Sequence, residues 1–185
     1  MNPHQISKDV QAFFERERPA LFVVWSDFGG PDALDKCLSM ILAEATEATV
    51  LVLARYRHLL DVDTRDLAAT YPSLDIDYRT VHSAKGLEAD YVVVLGMVSG
   101  RYGFPSKIDE DPLLLLAQGE EDDYEHAEER RLFYVAITRA RQAVFLVASR
   151  SSTSSFVREV AQGGYSVEPI GEPPATEGRC PDCET

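Results

Sequence analysis

The chain has 185 residues, 45% of them hydrophobic, and a formal net charge of -13. That is enough apolar content for one domain with a buried core, and no apolar run approaches the ~20 residues that span a bilayer. The acidic balance argues against a simple basic nucleic-acid binder, but much of it falls in one window, Asp109 to Glu129, that holds no Lys or Arg. That window reads as a solvated loop and helix entry, which leaves room for local positive sites elsewhere. The first residues lack the basic-then-apolar layout of a signal peptide, and three cysteines, two of them among the last six residues, make no disulfide framework. A reducing, cytoplasmic setting is expected.

Ser7 to Arg16 reads as a short amphipathic helix, with Ser7 as N-cap and Val10, Phe13 and Phe14 on one face. Ala20 to Trp25 is an apolar run of strand length. After the turn at Asp27 to Gly30, Pro31 suits a helix first turn, and Leu34, Leu38, Ile41 and Leu42 supply the stripe; Cys37 lies among them as a structural residue. Thr49 to Ala54 is a second apolar strand, followed by a basic corner, Arg55-Tyr56-Arg57-His58. A weak helix is expected between Leu59 and Thr70, and a strand over the alternating stretch Asp75 to Val81. Tyr91 to Leu95 is a third apolar strand, and a Gly- and Pro-bearing loop follows to Pro105. The longest helix is expected from Tyr124 to Ala140, the last apolar strand from Ala143 to Ala148, and a short helix from Ser155 to Ala161. The domain is placed at residues 1–165, with order ending near Tyr165 to Ile170. A Pro/Gly/Glu-rich tail occupies 166–185.

Strands apolar on both faces and separated by helices indicate an α/β fold with a parallel sheet covered on both sides. Ligands of such sheets bind beyond the carboxyl ends of the strands, where Arg55 is expected to follow one strand and His82 to Glu88 another. The chain contains no phosphate loop, and Gly96, Gly100 and Gly103 are spaced as turn residues. No acidic pair follows an apolar strand to hold magnesium, and no metal site is expected. His82 and Ser83 are adjacent, which is poor geometry for a nucleophile and its base. Cys180 and Cys183 have metal-ligand spacing; they either begin a zinc ribbon or form an incidental pair. Arg131, Val135 and Arg139 fall along one helix face over about 12 Å. Arg131 has Glu128 one turn away. Arg139 has no acid at i-3 or i-4, and its spacing fits either a helix-dipole partner or a cation presented to a phosphate.

Two stretches match a known family. Thr80-Val81-His82-Ser83-Ala84-Lys85-Gly86-Leu87-Glu88 and Glu128-Glu129-Arg130-Arg131-Leu132-Phe133-Tyr134-Val135-Ala136-Ile137-Thr138-Arg139-Ala140 resemble motifs V and VI of superfamily 1 DNA helicases of the UvrD/Rep type. Leu51 to Arg55 resembles motif IV, and the overall likeness is to the DNA helicase IV group. The resemblance covers roughly residues 1 to 165. It implies a RecA-like fold, the second of two motor domains with ATP in the cleft between them. The absent first domain would bring the phosphate loop and the acids that hold Mg. On this resemblance Arg139 is the arginine finger and Arg55 a second γ-phosphate contact. Glu88 meets the ribose, Thr80 and His82 touch single-stranded DNA, Lys85 serves either ligand, and Arg131 and Tyr134 brace the helix. Relatives often carry a stacking Tyr where this chain has Ala54, which leaves Tyr56 to move in. The implied function is the C-terminal part of an ATP-dependent DNA helicase translocating 3' to 5', inactive without its partner domain. The alternatives are a translocase that acts on a protein complex such as RNA polymerase, or a non-catalytic interaction domain of the same fold.

Overall fold

A computed structural model describes residues 20–27, 31–61, 64–108 and 126–174. The expected helix from Ser7 to Arg16, most of the acidic window, and Cys180 and Cys183 lie outside them. The elements in chain order are β1 (Leu21–Ser26), α1 (Pro31–Glu44), β2 (Ala48–Ala54), a 3-10 turn (Arg57–Leu60), α2 (Thr64–Thr70) and β3 (Leu74–Thr80). A second 3-10 turn (Val81–Ala84) leads to β4 (Ala89–Met97), α3 (Ala127–Ile137), β5 (Ala140–Ser149), α4 (Ser155–Gln162) and β6 (Val167–Ile170). Six strands form one sheet in the order β3-β2-β4-β5-β1-β6, every pairing parallel.

The sheet is legible in its residues. β2, β4 and β5 are apolar at nearly every position and lie in or beside the centre, where both faces must be dry. Alternate side chains feed two cores. Val24, Val52, Val93 and Phe145 pack with Leu34, Leu38 and Ile41 of α1 on one face. On the other, Leu53, Val92, Val94 and Leu146 pack with Val81 and Ala84 of the second 3-10 turn, Leu132 and Ala136 of α3, and Phe156 of α4. Each fully buried Val or Leu side chain contributes on the order of 2 kcal/mol. The outer strands are polar by contrast. β3 exposes Asp75, Asp77 and Arg79, and β6 carries Pro169, a residue that central strands exclude. β6 lies beyond the expected boundary at residue 165, so the sheet extends through Ile170.

Other expected boundaries also move. The weak helix of 59–70 resolves into a 3-10 turn and α2. α3 ends at Ile137 rather than Ala140: the Thr138 hydroxyl reaches back to the Tyr134 and Val135 carbonyls, and Ala89 N–H donates to the Arg139 carbonyl at 3.0 Å, which draws the chain into β5. The strand starts on this side are clamped by Asp90, which accepts from the Thr49 N–H and hydroxyl at 2.9 and 2.6 Å. Those bonds hold its carboxyl below the usual range. Cys37 is fully buried in α1, and burial pushes its thiol up to about 12, as suits a structural residue. Among the described residues no helix is long and apolar enough to cross a membrane, and no cluster of His, Cys, Asp and Glu could hold a metal ion.

Candidate functional site

The chain leaves β3 at Thr80, runs back along the sheet through the 3-10 turn, and enters β4 at Ala89, near the opposite end of the strands. α3 packs over that return segment. Gly86, at φ 86°, makes the bend before Leu87 in a conformation that side chains with a Cβ rarely adopt. The stretch from Thr80 to Glu88 thereby joins two ends of the domain, and α3 spans the same distance with its own polar groups at either end.

At the amino end of α3, Arg55 projects from the end of β2 and donates its Nε to Glu129 Oε1 at 2.8 Å. The two side chains are only 18% and 11% exposed, so this pair is largely desolvated. Glu129 Oε2 also accepts from the Ser106 N–H at 3.0 Å, so both carboxylate oxygens are used. The Arg55 guanidinium lies over the Tyr56 ring, 4.9 Å from its centroid. Ser106 donates its hydroxyl proton to the Arg101 carbonyl, which makes Tyr56 the donor in the 2.6 Å Tyr56–Ser106 hydrogen bond. His82 is solvent-accessible, yet partial burial and then the nearby Arg55 cation hold its pKa below the ordinary imidazole value. Glu129 and Glu128 oppose that shift without cancelling it. Ser83 spends its only hydroxyl proton on the Thr80 carbonyl at 2.9 Å, so Thr80 Oγ1 is the donor across the 3.0 Å contact with Ser83 Oγ.

The carboxyl end is built differently. Arg139 sits in the turn between α3 and β5, half-buried. Its Nε donates to the Val135 carbonyl at 3.0 Å, Nη1 to the Leu87 carbonyl at 3.2 Å and Nη2 to Thr138 Oγ1 at 3.2 Å. All three acceptors are neutral. The guanidinium is therefore positioned with its positive charge undiminished, and the bond to Val135 also makes it a partner for the helix dipole. Glu88 pairs with Arg141 at 3.3 Å, with both side chains about 60% exposed (58% and 61%). Lys85 is exposed on the return segment between the two ends.

The fold thus brings Thr80, His82 and Arg55 together, and Glu88 and Arg139 together, but it separates Arg55 from Arg139. Ala54 pairs with Leu95 and Ala140 with Ala89, so these immediate neighbours of the two arginines are about 20 Å apart along the sheet. Each guanidinium is held at its own end of α3. Arg131 pairs with Glu128 at 3.2 Å, as expected, whereas Tyr134 stands 64% exposed and does not brace the helix through its ring. That bracing comes from Arg130, which grips Glu159 of α4 with two hydrogen bonds and lies over Phe156, 5.2 Å from its centroid. Glu129 stands in the second matching stretch but without an expected partner, and Ser106 had no signal, because their partners are 74 and 50 positions away. Ala54 is fully buried, so nothing at that position can stack on a ligand.

Comparison with known proteins bears on this geometry. The profile described as "UvrD-like helicase C-terminal domain" matches residues 43–151. The chain is 34% identical over 157 residues to DNA helicase IV of Escherichia coli (strain K12), covering 84% of this chain and 22% of that protein. It is 42% identical over 96 residues to the probable DNA helicase II homolog of Mycoplasma genitalium, covering 49% of this chain and 12% of that protein. It is also 42% identical over 72 residues to the ATP-dependent DNA helicase PcrA of Staphylococcus aureus, covering 39% and 8%. The chain spans less than a quarter of the length of each.

Proposed function

The chain belongs to the UvrD-like helicase C-terminal domain family, and from that premise we propose that it acts as the second motor domain of a larger ATP-driven DNA helicase. Its RecA-like sheet carries the two ligand ends, and α3 is the rod between them. At the carboxyl end, Arg139 meets the γ-phosphate of an ATP held mainly by a first motor domain, and Glu88 accepts from the ribose hydroxyls. The fit of this end to a nucleotide rests on the chemistry of the groups present: a fixed guanidinium with no carboxylate on it, beside an accessible carboxylate. Magnesium would come bound to the phosphates and the partner domain, since the described residues hold no cluster for it. A planar, permanently charged fork aimed at transferring phosphoryl oxygens stabilises the charge that develops there.

At the amino end, Thr80 and His82 face the single-stranded DNA backbone. Arg55 belongs with this end rather than with the γ-phosphate, because Glu129 holds it there and offsets its charge. Lys85, on the segment between, serves either ligand. Closing and opening of the nucleotide cleft would shift the DNA end through α3 and the return segment, and so drive 3' to 5' translocation.

The observation that carries this reading is the separation of one arginine, held by neutral carbonyls beside Glu88, from a second cluster around His82 at the other end of the same helix. Strand displacement by the full-length protein tests it. Arg139→Ala is expected to abolish unwinding while leaving single-stranded DNA affinity within about twofold. Unwinding that survives Arg139→Ala would remove the catalytic role, and ATP hydrolysis without any unwinding by the unaltered protein would favour a translocase that acts on a protein complex.

A further inference from the structure

Of the three acceptors that hold Arg139, two are backbone carbonyls, which any residue at positions 135 and 87 would supply. The third is a side chain, the Thr138 hydroxyl. Thr138 closes α3, and its Oγ1 lies 2.8 Å from the Tyr134 carbonyl oxygen and 3.1 Å from that of Val135. Both neighbours can only accept, so the single hydroxyl proton is spent on them and the lone pairs are left for Arg139. Nη2, at 3.2 Å, is the donor that uses one. The Val135 carbonyl serves both side chains, since it also accepts Arg139 Nε at 3.0 Å. The hydroxyl is therefore fixed in direction before the guanidinium meets it.

A planar group held at two points can still swing about the line that joins them. A third contact off that line fixes the plane. Nε on Val135 and Nη1 on Leu87 are the two points, and Nη2 on Thr138 is the third. Each terminal nitrogen of a guanidinium carries two N–H groups, so one on each remains for a ligand. Their direction is set by the plane, and a shift of about 1 Å in a catalytic group can cost about 10²-fold in rate. Truncating Thr138 removes this control at little structural cost. The side chain is exposed, and the Tyr134 carbonyl still accepts the Thr138 N–H at 3.0 Å.

Resting on the reading of Arg139 as the cation that meets the γ-phosphate, we propose that Thr138 is its positioning residue. The hydroxyl touches no nucleotide. It accepts from Nη2 and holds the guanidinium plane so that the free N–H of each terminal nitrogen faces the phosphoryl oxygens. Threonine suits this task because its β-branch restricts χ1 and keeps Oγ1 on the helix carbonyls.

Affinity of the full-length protein for ADP–aluminium fluoride, a mimic of the transferring phosphoryl group, set beside its affinity for ADP, tests this. Thr138→Ala and Thr138→Val are expected to weaken the mimic about tenfold and leave ADP within about twofold, because the fault lies only where γ-phosphate charge develops. kcat for DNA-stimulated ATP hydrolysis should fall by about the same factor, with KM for ATP within about twofold. Thr138→Ser restores the acceptor and should recover both to within about threefold. In an Arg139→Ala background, Thr138→Ala should weaken the mimic no further. A further loss there, full affinity in Thr138→Val, or a Thr138→Ser protein as weak as Thr138→Ala overturns the positioning role and leaves Arg139 standing. If Arg139→Ala itself binds the mimic and hydrolyses ATP as the unaltered protein does, the reading of Arg139 falls and this one with it.

Discussion

The two ends of α3 hold arginines by opposite means. Arg55 at the amino end is tied to a buried carboxylate that also accepts a backbone N–H. Arg139 at the carboxyl end is tied to two carbonyl oxygens and a hydroxyl. Both are held by several hydrogen bonds or contacts, but only the second has no carboxylate among its partners. A guanidinium already paired with Glu129 gains less from an approaching phosphate, because the phosphate must compete with a carboxylate or share the cation with it. A guanidinium parked on neutral acceptors meets no such competition. The contrast teaches that the partner of an arginine, more than its presence in a motif, shows what it is available to do.

If that contrast holds, the same deletion should have unequal consequences at the two ends. Glu129→Ala leaves Arg55 part-buried without its carboxylate and orphans the Ser106 N–H, so unfolding in urea should show a loss of about 3 kcal/mol. Glu129→Gln keeps one acceptor oxygen and turns an NH2 toward the other donor, so it can hold only one of the two bonds and should recover only part of the loss. Glu88→Ala, which breaks an exposed pair, should stay within about 0.5 kcal/mol of the unaltered chain. Equal losses at the two ends would break the comparison.

A smaller effect sharpens it. His82 has a folded-state pKa below the 6.5 of a free imidazole. Below pH 6.5 the unfolded chain takes up a proton that the folded chain resists, so this group makes stability fall as pH drops from 6.5 through the lowered folded value. The thermal midpoint should therefore decline over that window, and His82→Asn should remove that part of the decline. Since the Arg55 cation contributes to the shift, Arg55→Met should also flatten it. A His82→Asn profile parallel to the unaltered one would show that His82 does not sense this cluster.

The fold was largely legible because burial leaves its mark locally. Runs such as Val50 to Ala54 and Tyr91 to Leu95 are apolar on both faces and have no place outside a covered parallel sheet. The alternation of β3 gave its strand character, though not its position at the edge. The end of α3 was not legible: helix periodicity continues through Arg139, and only the Thr138 hydroxyl and the pull of β4 on the Arg139 carbonyl stop the helix at Ile137. The site was half legible. The two stretches that resemble the family's motifs marked Thr80, His82, Glu88 and Arg139, but not that the sheet register sets Arg55 and Arg139 at opposite ends of the strands. Strand register and partners 74 residues apart are long-range facts that no local window contains. The packing of Tyr102 against Tyr56 and His58 was hidden for the same reason, since Tyr102 joins them only after β4 has crossed the sheet.

The central claim is that one end of α3 handles nucleotide and the other DNA. DNA-stimulated ATP hydrolysis by the full-length protein, measured across a titration of single-stranded DNA for Arg139→Ala and Arg55→Ala, tests it most directly. The expected result is a fall of about 10³ or more in kcat for Arg139→Ala at every DNA concentration, with half-saturating DNA unchanged. For Arg55→Ala, half-saturating DNA should rise severalfold while kcat recovers at saturation. An Arg55→Ala protein that stays as inactive as Arg139→Ala at saturating DNA would contradict the account, because both arginines would then be serving the nucleotide.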